Sequence, residues 1–538
     1  MIVLGLHGGV TVGQHEPAAA LAVNGRIIAA CEEERYLRNK SAYGYLPYYS
    51  IRACLKIANI DFRAIDLVVT PGASYPRFDE VWRDYLRHNF GSSPRIERVH
   101  HHMAHLASAF YGSGHREALC LSLDATGDGD CAMLAHATRG DGITVLEEIP
   151  TERSLGYFYT LMTYYLGFVD GDEYKVMGLA PYGRPSVDLS PIIRPAPHGW
   201  EFDWSFVRAD PPVKSPFEPL YAAKLAEVLG VPNRRPEEPI TDFHRDVASS
   251  TQAVTEDCVL RLAEHLRGYA PSTRHLCYAG GLALNCSANR RLLYADMFDH
   301  IYVSPVSSDR GLALGCAYLG AVMLGDSPWP LLHAYLGSCY SDADIRHELE
   351  ANGCRFEELE DPAATGACLL ADGKILGWFQ GRSEAGARAL GNRSIVASCA
   401  SQAMRDRVNA RIKFREEFRP FAPSLLQEAA GDWFAVNGRP DFPYMTFTLD
   451  AIPERAPTIA AVVHVDGTAR VQTVRSSDNE IYYEMIRRYA NETGVPVILN
   501  TSFNLKGQPI IESPRDALMT FYGCGLDALV IGNFLVHK

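Results

Sequence analysis

The chain has 538 residues, 47% hydrophobic and 21% charged, with a formal net charge of −13. That length exceeds one ordinary core, the composition excludes a disordered or fibrous chain, and no apolar run reaches the length of a helical membrane span. The acidic balance opposes a nucleic-acid partner, and thirteen scattered cysteines without a C-x-x-C pair oppose a disulfide framework or a thiolate zinc knuckle; a cytoplasmic protein with small-molecule partners is expected.

The opening MIVLGLHGGV reads as a strand rather than a signal peptide. AAALAV, the Asn24-Gly25 pair and RIIAA predict a hairpin. VHHHMAHLASAF predicts a helix that opens with His100, His101, His102 and His105, and ALCLSL and CAMLAH predict strands around the polar loop DATGDGD. Leu4-Gly5-Leu6-His7 has a counterpart in Leu121-Ser122-Leu123-Asp124, the pattern of an internal duplication that fits an actin-like, ribonuclease-H-like architecture. Twelve prolines between Pro181 and Pro239 predict an irregular insertion at about 181–239. A helix follows from the N-cap Thr241, with Val247, Val254, Cys258, Leu262 and Leu266 at helical spacing. RHLCYAGG and IYVSP predict strands, and Asp309 to Leu324 predicts a helix packed closely through Gly311 and Gly315. A first domain over 1–338 is expected, followed over 339–538 by a separate α/β domain with strands in KILGWF, AAVVHV, VPVILN and DALVIG.

Three groups of residues carry chemistry. His101 and His105, at i and i+4, share a helix face and can present two imidazoles to one metal; His102 and His105 can also meet, and a surface helix start with fortuitous histidines is the bland alternative. Asp124, ending a strand in a polar loop, offers an oxygen ligand or is an ordinary turn aspartate. Imidazole and carboxylate without thiolate suit a divalent ion such as iron(II), with manganese or magnesium as alternatives. The second group is three glycine turns, Lys175-Val176-Met177-Gly178, Ala279-Gly280-Gly281 with Asn285, and Ser308-Asp309-Arg310-Gly311, which permit nucleotide phosphate binding or serve close packing. Asp309 can cap its helix, bind metal, or do both. The third group runs from Arg382 to Arg419, where eight arginines and Lys413 face four acidic residues, a local +5 in an acidic chain. Guanidinium forks bind phosphate and carboxylate bidentately, whereas Arg405, Arg407 and Arg411 also fit a solvated helix face. Downstream, Asn500, Ser502 and Asn504 lie at the carboxyl end of the VPVIL strand, a usual place for ligand donors.

Taken in order, HHMAH with SAF, LDATGDGD, EYKVMGLAPYG, YAGGLALN, GRSEAGARALGNRS, KFREEFRPFAP, HVDGTARVQTV and LNTSFN resemble the signature segments of the NodU/CmcH-type O-carbamoyltransferase family, which includes antibiotic-tailoring members such as TobZ. The resemblance implies a first domain like the tRNA threonylcarbamoyladenosine transferase and a YrdC-like second domain. It implies an ATP-dependent enzyme that converts carbamoyl phosphate through carbamoyl-adenylate and transfers the carbamoyl group to a hydroxyl of a natural-product acceptor, such as an antibiotic or toxin. It narrows the metal ligands to His101, His105, Asp124 and Asp309. It places carbamoyl phosphate at Arg388, Lys413, Arg419, Arg470, Asn500 and Ser502, with Arg388 and Arg419 also catalytic, and the nucleotide near Lys175, Met177, Gly178, Gly280, Gly281 and Asn285, joined by Gly311 of the third turn. His15 is the candidate general base. The partners implied are carbamoyl phosphate, ATP and a hydroxylated acceptor, with neither nucleic acid nor membrane; a homodimer stays open. The chain departs from the family's pattern at Glu16, where Asp is usual, at Ala387, where Pro is usual, and at Ala125-Thr126. A non-catalytic regulator that binds carbamoyl phosphate or a nucleotide is the rival from another class.

Overall fold

Apolar strands separated by glycine and asparagine turns build two sheets of one design in the N-terminal region. The computed structural model describes residues 1–9, 14–207, 224–439 and 441–538. The first sheet contains β1 (Ile2–His7), β2 (Ala18–Val23), β3 (Arg26–Glu32), β4 (Leu67–Pro71) and β5 (Arg95–Val99), in the order β3-β2-β1-β4-β5. β1 runs antiparallel to β2 and parallel to β4, and β4 runs parallel to β5. Asn24 and Gly25, both at positive φ (49° and 76°), turn the β2–β3 hairpin, the geometry that two-residue loops favour.

The second sheet repeats this plan. β6 (Glu117–Gly127), β7 (Asp130–Thr138) and β8 (Gly142–Pro150) form an antiparallel meander. After the small hairpin β9 (Ile193–Ala196) and β10 (Gly199–Phe202), β11 (His275–Ala279) and β12 (His300–Val303) add in parallel, giving β12-β11-β6-β7-β8. β1 and β6 are therefore equivalent strands of a duplicated, actin-like α/β fold, and they carry the matched segments ending in His7 and Asp124.

The Leu312–Met323 helix locks this region. Nearly every side is buried, and small residues permit the approach: a Cβ on Gly5 would lie 2.0 Å from the Ala313 carbonyl oxygen, and one on Gly315 would lie 1.8 Å from that of Ala104. The helix thus presses on β1 and on the His101–Ser113 helix, bringing its own N-terminal turn beside the histidines.

Two compact units result: Met1–Ile28 with Tyr43–Ile51 and Ile60–Leu331, and Ala29–Ala42 with Arg52–Asn59 and Leu332–Lys538. A division at residue 338 leaves the two short N-terminal segments of the second unit in the first domain. Within the stretch 181–239, residues 208–223 lie outside the described residues; the remainder holds the β9–β10 hairpin, two three-residue helical turns and the Lys224–Leu229 helix. The second unit is built on a mixed sheet of β13 (Arg355–Glu358), β14 (Leu376–Phe379), β15 (Arg393–Ser398), β16 (Ala422–Leu426), β19 (Gln472–Val474), β20 (Val497–Ser502), β21 (Ala528–Ile531) and β22 (Phe534–His537), in the order β13-β22-β21-β14-β15-β20-β16-β19. β17 (Thr448–Asp450) and β18 (Thr468–Arg470) pair separately. The AAVVHV segment, expected as a strand, is a turn: Pro457 starts a short helix at Ala456–Ile459, and the amides of Ala461 and Val462 bond to Cys399 and Ile459. Among the described residues, no helix is long and apolar enough to cross a membrane.

Candidate functional site

In the first unit, His101, His105, Asp124 and Asp309 each offer a ligand atom, and these atoms lie within 4.8 Å of one another. The two Nε2 atoms are 3.1 Å apart, within hydrogen-bond distance. His105 Nε2 is 3.1 Å from Asp124 Oδ2 and 3.6 Å from Asp309 Oδ1; His101 Nε2 is 3.9 and 3.6 Å from the same atoms. Burial opposes a charged His105, but its bonds to both carboxylates raise it to about 9. Burial would push Asp124 up, yet His101 and His105 hold it well below the usual range, and Asp309 is lowered in the same manner. Two carboxylates and two imidazoles converging in a buried place, with their ligand atoms within 4.8 Å, form a donor set that fits a divalent first-row cation.

His102, the alternative partner of His105, faces elsewhere: Nδ1 meets Ser122 Oγ at 2.7 Å and Nε2 meets the Asp130 carbonyl at 3.0 Å. Burial and the neighbouring imidazoles lower it to about 3, so it is a neutral strut between helix and sheet. The β6–β7 turn supports the cluster. Asp124 accepts from the Ala125 amide at 2.7 Å and the Gly281 amide at 2.9 Å, and a Cβ on Gly127 would lie 2.2 Å from the His101 ring.

His15 lies beside this cluster. Its ring packs edge-on against Tyr43 at 5.2 Å, its carbonyl meets His7 Nε2 at 3.0 Å, and its buried Nδ1 bonds to none of the described residues. Burial opposes its charge, but Asp309, Glu16, Asp170 and Asp124 outweigh that and raise its pKa. Glu16 reaches Ser308 Oγ at 2.6 Å and pairs with the Arg310 guanidinium, bracketing Asp309. The longer side chain at this departure therefore ties the His15 segment to the Asp309 turn. Sequence reasoning missed Arg310 and His7; the matched ends of β1 and β6 were the available signal for His7.

The residues expected around a nucleotide are mostly engaged within the protein. Lys175 pairs with Asp172 at 2.8 Å, and Met177 Sδ lies 3.7 Å from Cys286 Sγ. Gly178 is not in a turn: it sits inside the Glu173–Leu179 helix, whose first turn carries the acidic residue a helix N-terminus favours. Gly280 donates to the Ser307 carbonyl at 2.8 Å and Gly281 to Asp124. Asn285 caps the Cys286–Tyr294 helix and exchanges two hydrogen bonds with Gln252 (2.9 and 3.0 Å). At Gly311 a Cβ would meet the Val306 carbonyl oxygen at 1.7 Å, so this turn has room only for glycine.

In the second unit, Lys413 is buried, and its ammonium donates to the Ser502 carbonyl at 2.6 Å, Asn504 Oδ1 at 2.8 Å, the Asn504 carbonyl at 3.1 Å and Ser502 Oγ at 3.4 Å. Burial, reinforced by Arg415 and Arg419, pushes its pKa well down. Asn500 donates to the Ala389 carbonyl at 3.1 Å, next to Arg388, and to Ser424 and Gln472; its buried Oδ1 bonds to none of the described residues. Arg388 is half-buried in the 381–392 loop, Arg419 lies 3.5 Å from Glu416, and half-buried Arg470 ends β18. Sequence reasoning missed the buried acids that hold the Arg388 loop. Glu384 Oε1 accepts from the amides of Leu390 (2.7 Å), Asn392 (2.8 Å) and Arg393 (3.2 Å), while Glu32 and Arg35 bond the N–H and carbonyl of Gly386. Arg407 and Arg411 instead pair with Asp527, and Arg405 with Asp406.

The models of the carbamoyltransferase N-terminus and C-terminus match residues 86–318 and 367–538. The chain belongs to the carbamoyltransferase family and is a carbamoyltransferase enzyme. It is 37% identical to nodulation protein NolNO of Sinorhizobium fredii (strain NBRC 101917 / NGR234) over 579 aligned positions, covering 100% of this chain and 83% of that protein. It is 38% identical to nodulation protein NolO of Bradyrhizobium diazoefficiens over 451 positions, covering 82% of this chain and 79% of the relative. Among solved structures it is similar to T. kodakarensis HypF, at 13% identity and a TM-score of 0.32, over 60% of this chain and 48% of that one.

Proposed function

We propose that the enzyme is an ATP-dependent O-carbamoyltransferase of natural-product biosynthesis, using carbamoyl phosphate, ATP and a hydroxylated small-molecule acceptor. The observation that carries this reading is the convergence of His101, His105, Asp124 and Asp309 within 4.8 Å in a carbamoyltransferase. These four residues would hold the metal, with iron(II) the proposed ion. Bound there, a divalent cation supplies Lewis-acid polarisation of a carbonyl or phosphate oxygen.

In the second unit, Arg388, Lys413, Arg419 and Arg470 neutralise carbamoyl phosphate, and Asn500 and Ser502 orient its polar atoms. Hydrolysis by water releases inorganic phosphate and leaves carbamate, a poor electrophile. Reaction with ATP expels pyrophosphate and gives carbamoyl-adenylate, in which AMP is a good leaving group; enclosure protects it from water. Lys175, Met177, Gly178, Gly280, Gly281, Asn285 and Gly311 would line the nucleotide. His15 takes the acceptor's hydroxyl proton on Nδ1, the new C–O bond forms, and AMP leaves.

The test is incubation of metal-replete protein with carbamoyl phosphate, ATP and candidate hydroxylated acceptors, reading pyrophosphate release and product mass. Carbamoylated product formed only with ATP is expected; no ATP-dependent turnover overturns the reading. His101→Ala is expected to lower metal content and abolish transfer while carbamoyl phosphate cleavage persists, and unchanged metal content would refute the ligand assignment.

A further inference from the structure

Asp128 lies in the β6–β7 turn, four residues beyond Asp124, and belongs to none of the sites described above. Its backbone is in the left-handed region (φ 55°), which Asp tolerates better than most residues with a side chain. Its carboxylate collects five hydrogen bonds: from the His101 amide at 2.7 Å, the Gly72 and Ala73 amides at 3.2 Å each, the Ser74 amide at 3.0 Å and Ser74 Oγ at 2.5 Å. One half-buried side chain thus joins the loop after β4 to the first turn of the His101–Ser113 helix, where the unpaired helix amides and the dipole favour a negative charge. The His101 amide it holds and the His101 imidazole belong to the same residue, and the ring packs against Gly127, directly before Asp128.

We propose that Asp128 is a positioning residue of the metal centre, an inference that rests on the metal-binding reading of His101, His105, Asp124 and Asp309. With five donors on two oxygens the carboxylate has one orientation, so it fixes where the helix begins and the direction in which His101 leaves it. Without this anchor the first turn, whose amides have no partners within the helix, frays, and His101 samples positions away from His105 and the carboxylates. Residues that orient ligands without touching the metal typically change affinity by about 10- to 100-fold.

The experiment titrates Mn²⁺ into the metal-stripped full chain by electron paramagnetic resonance, comparing wild type with His101→Ala and Asp128→Asn. Asn adopts the left-handed backbone as readily as Asp and keeps one carbonyl oxygen, so this variant removes charge and acceptor capacity with the turn retained. Wild type is expected to bind and His101→Ala to lose binding. Asp128→Asn is expected to bind about tenfold or more weakly, with a broadened spectrum of the bound ion, and to melt at a lower temperature without metal, because the side-chain NH2 faces hydrogen-bond donors. Wild-type affinity and spectrum in Asp128→Asn overturn the proposal; absence of Mn²⁺ binding in wild type, or undiminished binding in His101→Ala, overturns the metal reading itself. Should Asp128→Asn fail to fold, the exposed Ser74→Ala reads the same link from its other end, with a roughly two- to fivefold loss expected and an unchanged affinity counting against the proposal.

Discussion

The first unit gathers carboxylates and imidazoles beside the end of β6, whereas the second gathers cations around the end of β20, and the two clusters are secured differently. Acids and imidazoles attract and hydrogen-bond one another, and the donor atoms of the first lie within 4.8 Å. Like-charged groups cannot do this, and each cation of the second is secured separately. Lys413 is surrounded by four oxygens of Ser502 and Asn504, Arg419 faces Glu416, and the Arg388 loop is fastened by Glu384 and by the Glu32–Arg35 pair. A cluster of acids and imidazoles can therefore be self-supporting, while a cluster of cationic side chains depends on acceptors drawn from the surrounding chain.

The sharpest division between them is expected from Lys413→Met, which deletes the amine of the proposed carbamoyl phosphate site. Charge-assisted hydrogen bonds contribute about 1.5–3 kcal/mol, so carbamoyl phosphate affinity is expected to fall about 10- to 100-fold. Denaturant unfolding is expected to show a loss of about 1–3 kcal/mol, because buried oxygens lose their donor. Mn²⁺ affinity of the first unit is expected to be unchanged; a parallel loss of both affinities in calorimetric titrations would break the division.

Next in size is the pH dependence of the self-supporting cluster. His105 is raised to about 9, above the ordinary histidine value of about 6.5. In the metal-free protein its proton therefore contributes stability that is fully present below about pH 6.5 and is lost as pH rises through 9. A cation must displace that proton, so Mn²⁺ affinity is expected to rise by about tenfold per pH unit through this window and level off near pH 9. A flat profile between pH 7 and 8.5 would mean that His105 is not a ligand.

The two sites also differed in how far the sequence exposed them. The duplicated strands were readable because Leu-x-Leu ends in a polar residue at both His7 and Asp124, and helical spacing put His101 and His105 on one face. Spacing could not choose between His101 and His102: the choice is made by Ser122 and the Asp130 carbonyl, which hold His102 against the sheet through contacts distant in sequence. The arginine-rich stretch showed its charge but not its division of labour. Arg407 and Arg411 turn to Asp527, more than a hundred residues away, and the groups that fasten the Arg388 loop include Glu32 and Arg35 of the N-terminal sequence in the second unit. Gly178 was misread as a turn because glycine inside a helix looks the same in sequence as glycine that ends one.

The smallest effect tests how closely the histidine–aspartate cluster is fitted to its own loop. Gly127 and Gly129 are two residues apart in the β6–β7 turn, yet an added methyl meets different surroundings. At Gly127 it would lie 2.2 Å from the His101 ring, whereas at Gly129 it meets nothing within 4 Å but must adopt φ 102°. Gly129→Ala is therefore expected to lower stability by about 1 kcal/mol through backbone strain alone, with Mn²⁺ affinity retained. Gly127→Ala has to turn the imidazole away from its partners, so a stability loss of about 1–3 kcal/mol from overpacking is expected together with a several-fold weaker Mn²⁺ affinity. Equal Mn²⁺ affinities in the two variants would show that the cluster tolerates movement of His101, and that its compactness comes from attraction among the four side chains alone rather than from the fit of the turn beneath it.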